Sequence, residues 1–269
     1  FLPGTKILSF GTAGCNLGCK FCQNWSISKA KLDDINSLKA SPEDVVKLAK
    51  EYGTPSIAYT YNDPTIFGEY VMDISQLARG EDIKSVMVTA GYIDKKARKD
   101  VYKYIDAANV DLKGFTERFY WKNTISHLED VLDTLIWLKK ETDVWTEITT
   151  LLIPEENDSE EEIKSECEWI LKNLGNSIPL HFTAFHPDFR MKDKQHTPEF
   201  ILTKARNIAL SMGIKYCYVG NVHNVEGQTT FCPGCGTALI RRDWHTVISN
   251  NLDNNHCNKC GTVIEGVYS

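Results

Sequence analysis

No stretch of the 269-residue chain approaches the roughly 18 consecutive apolar residues that a bilayer-spanning helix requires. Nor is there the basic, apolar and small-residue succession of a secretory signal. A cytoplasmic protein with no membrane role is therefore expected, although a chain that opens on Phe1 leaves room for an upstream segment. Lysine and arginine runs are missing too. Thirty basic against thirty-six acidic side chains leave a net charge of −6, and no basic stripe marks a nucleic-acid partner. The sequence has no P-loop, no G-x-S-x-G nucleophile elbow and no H-E-x-x-H zinc helix, and Gly11-Thr12-Ala13-Gly14 is too short for a dinucleotide fingerprint. Internal repeats, low-complexity tracts and long linkers are absent. What is present is a 42% apolar, 25% charged composition, ordinary for a globular protein with a sizeable core.

Short β-rich runs near residues 5, 56, 85, 107, 144, 179 and 215 alternate with helix-period stretches. Leu128, Val131, Leu132 and Leu135 share one helical face, as do Ile201, Ala205, Ile208, Ala209 and Met212. Ser41-Pro42-Glu43-Asp44 combines an N-cap, a proline at the first helical position and first-turn acids, which suit the free amides and the dipole. Ser159 through Glu162 presents the same start with a capping-box glutamate. Repeated strand–helix units predict a parallel sheet curled into an α/β barrel, partial or complete, with chemistry at the carboxyl ends of its strands. Polar groups fall just there. The cysteine cluster follows the first strand, Asn62-Asp63-Pro64 the second and Thr89-Ala90-Gly91 the third; Asp111 and Lys113 close the fourth, Asn157-Asp158 follows the fifth and His186-Pro187 the sixth. Near residue 222 the alternation gives way to turn-rich sequence, dividing the chain into domains 1–221 and 222–269.

Nine cysteines could signal disulfides, but their clustering at ligand spacing favours metal. Cys167 and Cys217 stand alone and read as core residues. Cys15, Cys19 and Cys22 form a C-x3-C-x2-C cluster in a glycine-containing loop. Four thiolates would saturate a cubane of four irons and four sulfides, whereas three leave one iron open. An open iron can chelate the amino and carboxylate groups of S-adenosylmethionine and deliver the electron that generates a deoxyadenosyl radical. A structural zinc with a distant fourth ligand, or incidental cysteines, are the alternatives; Phe21 and Gln23-Asn24-Trp25 around the third cysteine favour the cluster. Cys232-Pro233-Gly234-Cys235-Gly236 and Cys257-Asn258-Lys259-Cys260-Gly261 are paired knuckles whose glycines permit a tight turn beneath a metal. Four sulfurs suit structural zinc, with rubredoxin-like iron as the rival, and leave His245 and His256 as surface residues. Such a ribbon depends on its metal for stability. It is expected to dock a partner or to close the barrel mouth.

The stretch "FLPGTKILSFGTAGCNLGCKFCQNWSIS", with "YTYNDPT", "VDLKGF" and "FHPD", resembles the radical S-adenosylmethionine superfamily over nearly the whole first 220 residues. More closely it is similar to the AmmeMemoRadiSam system radical enzymes, relatives of pyruvate formate-lyase activating enzyme. The resemblance implies a partial (β/α)6 TIM-like barrel, here with a small C-terminal zinc-ribbon domain, and Cys15, Cys19 and Cys22 as ligands of a 4Fe-4S cluster. It implies that Asp63, flanked by Asn62 and Pro64, meets the methionine ammonium of S-adenosylmethionine; a turn aspartate before proline is the other reading. Lys113, beside Asp111, would meet the cofactor carboxylate, and His186 and Glu147 would lie near its ribose. Val88 and Ala90 depart from the activating-enzyme pattern, so no monovalent cation is expected there. Close relatives often carry a further N-terminal segment with its own cysteines. The implied function is hydrogen abstraction from an unidentified substrate after reductive cleavage of S-adenosylmethionine. The substrate is a glycyl-radical protein, a small molecule or an AMMECR-type or Memo-type partner, and a flavodoxin or ferredoxin supplies the electron. A zinc-ribbon binding module on a catalytically silent barrel is the alternative from another class. Two-carboxylate hydrolysis through Asp63 and Glu147 leaves the cysteines unexplained.

Overall fold

The computed structural model describes residues 1–31, 33 and 36–269. Strands β1 (Leu8–Phe10), β2 (Ser56–Tyr59), β3 (Lys84–Thr89), β4 (Ala107–Asp111), β5 (Trp145–Leu152), β6 (Leu180–Ala184) and β7 (Cys217–Gly220) form one sheet in sequence order. Every neighbouring pair is parallel, from Leu8 opposite Ile57 to Leu180 opposite Cys217. Among the described residues β1 does not pair with β7, so the barrel is partial and has two free edges.

Helices α1 (Trp25–Ser28), α2 (Pro42–Glu51), α3 (Gly68–Gly80), α4 (Lys95–Val101), α5 (Glu117–Phe119), α6 (Leu128–Glu141), α7 (Glu160–Asn173), α8 (Glu199–Met212) and α9 (Val225–Gln228) fill the connections. The caps explain two of the starts. Ser41 and Asp44 complete a reciprocal capping box at α2. Ser159 accepts from the Glu162 amide at 3.2 Å, but the Glu162 carboxylate turns away from the cap and accepts from the Phe115 amide at 2.6 Å. The second half of the expected capping box is thereby traded for a tie to the loop after β4.

On β5 the period of two is plain. Thr146, Ile148, Thr150 and Leu152 are buried beneath the helices, while Trp145, Glu147, Thr149 and Leu151 line the interior cavities. Val131, Leu135 and Leu138 of α6, Ile163 and Ile170 of α7 and Leu202 of α8 pack with strand residues Ile57, Val110, Ile148 and Leu180 in one continuous core. Each such side chain contributes about 1.5–3 kcal/mol by leaving water. Cys167 and Cys217 lie within this core, as expected of single cysteines.

After β7, strands β8 (Thr230–Phe231), β9 (Ala238–Asp243) and β10 (Thr246–Asn250) form a small antiparallel sheet, and β11 (Leu252–Asp253) pairs with β12 (His256–Cys257). Leu239, Ile240 and Ile264 join Cys232, Cys257 and the barrel's Tyr216 in a separate minor core. Glu265 fastens the ribbon to the barrel, accepting from Lys215 Nζ and Ser177 Oγ, each at 2.8 Å, and from the Tyr216 hydroxyl. No helix among the described residues is long and apolar enough to cross a membrane.

Candidate active site

The cysteines occupy the loop between β1 and α1, and loops from around the barrel mouth hold that loop by its backbone. Gly18 N donates to Thr124 O at 2.7 Å and Lys20 N to Asn123 O at 2.9 Å, while Lys20 O accepts from Arg190 N at 3.0 Å. The first two acceptors end a π-turn, Tyr120–Thr124, a distortion often found at functional sites. Asn16 Nδ2 reaches Tyr92 O at 2.9 Å. Asn62 accepts from Thr12 N at 3.0 Å and donates to Thr12 Oγ1 at 3.1 Å and Gly14 O at 2.7 Å, so this buried amide staples the start of the loop to the end of β2. A side chain at Gly11 would stand 2.4 Å from Thr60 O and 2.6 Å from Asn62 Oδ1, which leaves room only for glycine.

Cys15, Cys19 and Cys22 line a cavity of about 310 Å3 together with Asn62, Asp63, Asp111 and Lys113. Burial pushes the Cys19 thiol up to about 12. Lys113 Nζ donates to Asp111 Oδ2 at 2.8 Å. Burial pulls the lysine pKa down, but Asp111 and Cys19 outweigh it, and the ammonium is held above its ordinary value. The Lys113 amide donates to the Tyr120 hydroxyl at 3.1 Å, and the Lys113 carbonyl accepts from Asn157 Nδ2 at 3.0 Å. Asn157 also accepts from Ile153 N and donates to Leu151 O, which locks the loops after β4 and β5 together.

Of the residues expected at the site, the chamber gathers the three cysteines, Asn62, Asp63, Asp111 and Lys113. Asp63 is heavily engaged. Its carboxylate accepts from Thr65 N at 2.9 Å, from Ala90 N at 2.8 Å and from Thr89 Oγ1 at 3.1 Å, capping the 3-10 turn Pro64–Phe67 and binding it to the end of β3. This is the arrangement of a turn aspartate before proline, with Pro64 buried beside it rather than lining the chamber. His186 is exposed, its ring edge-on to His196, and it does not line the chamber. Glu147 faces a different cavity. Thr149, Leu151, Thr183 and Asn221, not singled out from the sequence as site residues, complete the chamber wall. The same alternation that brings Glu147 inward implies Thr149 and Leu151; Asn221 carries no sequence signal beyond its place after a strand.

The cavity holding Glu147 measures about 490 Å3 and runs between the inner face of β5–β7 and the ribbon. Glu147 Oε2 accepts from His181 Nε2 at 2.7 Å, and Oε1 accepts from Trp145 Nε1 at 2.8 Å and from the Phe1 nitrogen at 3.2 Å. Burial pushes its carboxyl up, but these donors win and hold it well below the usual carboxylate range. The ribbon thus stands over this cavity, and none of its residues from 222 onward lines the cysteine chamber.

Cys232, Cys235, Cys257 and Cys260 place their sulfurs within 4.8 Å of one another. Sulfurs bound at about 2.3 Å around one tetrahedral ion stand roughly 3.8 Å apart. The Cys232–Cys260 and Cys235–Cys257 separations of 3.6 and 3.7 Å fit that geometry, for zinc or for iron alike. Gly236 and Gly261 take φ of 70° and 73°, the left-handed turn each knuckle needs. Thr237 and Thr262, which the repeated C-x2-C-G-T pattern could have flagged, set their hydroxyls 3.2 and 3.1 Å from Cys235 and Cys260 Sγ. The hydrogen bond from Thr262 draws the Cys260 thiol down to about 6. The three amino-terminal cysteines form no comparable single-ion group among the described residues.

A family model described as the Radical SAM superfamily matches residues 10–167. An uncharacterized protein of Methanocaldococcus jannaschii is 39% identical over 267 residues, covering 98% of this chain and 79% of that protein. The (2S)-3-sulfopropanediol dehydratase activating enzyme of Klebsiella oxytoca is 26% identical over 151 residues, 55% of this chain and 46% of that enzyme. Among solved structures, a domain of a pyruvate-formate lyase-activating enzyme from Bacteroides vulgatus superposes with a TM-score of 0.53 at 18% identity, covering 61% of this chain and 98% of that domain, a likeness of fold.

Proposed function

The chain belongs to the Radical SAM superfamily, and from that premise we propose that it reductively cleaves S-adenosylmethionine at a 4Fe-4S cluster held by Cys15, Cys19 and Cys22 and abstracts hydrogen from a second substrate. One observation carries this reading: the three thiols and the Lys113–Asp111 ion pair converge on a single chamber at the carboxyl ends of the strands. When bound, the cluster supplies the electron that breaks the sulfonium bond and yields a deoxyadenosyl radical. The protein's part is positional and electrostatic. Cys19, whose thiol burial holds up to about 12, would have to give up its proton to serve as a cluster ligand. Lys113 keeps its charge through Asp111 and would hold the cofactor carboxylate, while buried Leu17 and Phe21 restrict water around the thiols. Asn62 holds the loop's entry in register.

The similarity to a dehydratase activating enzyme favours kinship with activators of glycyl-radical proteins, and membership of the AmmeMemoRadiSam subgroup belongs to the same reading. A reducing cytoplasm and a flavodoxin-type or ferredoxin-type donor suit the free thiols and the electron demand. Residues 222–269 act as a metal-stapled ribbon domain, with zinc the preferred ion. A ribbon on a silent barrel gives no reason for three thiols and a cation to share an interior chamber. Anaerobically reconstituted protein, given dithionite and S-adenosylmethionine, is expected to release methionine and 5′-deoxyadenosine in equal amounts. Intact S-adenosylmethionine after prolonged incubation of iron-loaded protein contradicts the proposal.

A further inference from the structure

Five residues, Tyr120–Thr124, touch both halves of the proposed cofactor site. Tyr120, Asn123 and Thr124 are fully buried, while Trp121 and Lys122 between them are exposed. At one end the Tyr120 hydroxyl accepts from Lys113 N at 3.1 Å. At the other, Asn123 O and Thr124 O accept from Lys20 N and Gly18 N, on either side of Cys19. The Thr124 hydroxyl donates to Tyr120 O at 2.7 Å and so ties the two ends to each other.

Two departures from regular backbone coincide in this segment. It winds as a π-turn, and it stops at Ile125, a β-branched residue held in the left-handed region at φ 56°. That conformation strains a β-branched residue and persists only where the surroundings enforce it. Here the surroundings are the cysteine loop. Gly18 leaves the space that Ile125 fills, since a side chain at Gly18 would stand 2.5 Å from Ile125 Cδ1. Just before the turn, the Phe119 ring packs on Phe21 with centroids 5.9 Å apart. Lys113 depends on such support. The register of β4 on β5 ends with Asp111 opposite Thr149, so the ladder does not reach the Lys113 peptide. Instead the Tyr120 hydroxyl takes its N–H, and Asn157 Nδ2 donates to its carbonyl at 3.0 Å. Tyr120 does not line the chamber, so it acts on a ligand there only through Lys113.

We propose that Tyr120 is a positioning residue: through the turn it holds Lys113 in a fixed place relative to Cys19, so that one ligand is gripped at the metal and at the lysine together. The proposal rests on the reading of this chamber as an S-adenosylmethionine site with Lys113 on the cofactor carboxylate. Equilibrium titration of anaerobically reconstituted, unreduced protein with S-adenosylmethionine reads binding without turnover. Tyr120→Phe deletes one oxygen and leaves the ring in the core. It is expected to raise the dissociation constant about fivefold, the size of one hydrogen bond, with iron content unchanged. Added to Lys113→Met, the same substitution is expected to change the constant by less than about twofold, because the group that the hydroxyl positions is gone. Tyr59→Phe removes a buried hydroxyl contact to Ser85 at 3.2 Å outside the chamber wall. It is expected to leave the constant within about twofold of wild type. An unchanged constant in Tyr120→Phe, iron lost together with affinity, an equal effect with and without Lys113, or an equal effect of Tyr59→Phe overturns the proposal. Wild-type protein that binds no S-adenosylmethionine removes the chamber's assignment and the proposal with it, whereas wild-type binding with an indifferent Tyr120→Phe removes the proposal alone.

Discussion

Replacing Cys19 by alanine is expected to reduce 5′-deoxyadenosine formation below detection while leaving the barrel folded. The two effects separate because the loop is held by its backbone. Gly18 and Lys20, on either side of Cys19, donate to Thr124 and Asn123, and neither bond involves the thiol. Cys19 itself is 9% exposed and packs in the main core, so the lost sulfur costs on the order of 1 kcal/mol, a shift of about 2–4 °C in the unfolding midpoint. Two thiolates would leave two corners of a cubane without a protein ligand. Iron content should therefore fall with activity, while circular dichroism stays near wild type. Cys167→Ala is the matched control: the same chemical change in the same core, far from the chamber, is expected to cost similar stability and leave cleavage intact. Undiminished deoxyadenosine from the Cys19 variant would refute the assignment.

Removing the carboxyl-terminal metal should unravel the ribbon and spare the barrel. Among the described residues the ribbon's fully buried core is Leu239, Ile240, Ile264 and two of the ligating cysteines against the barrel's Tyr216, with five strands of two to six residues. So small a core does not outweigh the entropy of ordering it. Metal ligation of such knuckles supplies about 10–16 kcal/mol in isolated zinc-finger peptides, far more than the Glu265 bonds that fasten the ribbon to the barrel. Stripping the metal with a chelator, or Cys260→Ser, is accordingly expected to admit proteolysis beyond residue 230 while fragments of the barrel remain intact and its iron stays bound. Elemental analysis of the intact protein separates zinc from iron. Parallel loss of both metals argues against two independent sites.

Much of this architecture was legible in the sequence because it rests on local rules. Strand–helix alternation, the Ser41 cap and the C-x2-C-G knuckles each act over a few residues, and the parallel sheet, α2 and the four-sulfur cluster follow from them. The clustering of Asn62, Asp111 and Lys113 with the cysteines follows from the rule that strand ends share one mouth. What was not legible depends on partners distant in the chain. Nothing near Asp63 announces that Thr89 and Ala90 will occupy its carboxylate, or near Glu162 that Phe115 N will draw it from its cap. Glu147 sits only two residues from Thr149, yet one step along a tilted strand separates two cavities. His186 shares the expected loop after β6 but turns outward.

The central claim is that three sulfur donors leave one iron corner for S-adenosylmethionine. Mössbauer spectroscopy of protein reconstituted anaerobically with iron-57 tests it directly. The expected spectrum is that of a cubane in which one iron of about four changes its parameters when S-adenosylmethionine is added. A spectrum with no sulfide-bridged iron, or with every iron indifferent to the added cofactor, contradicts the account.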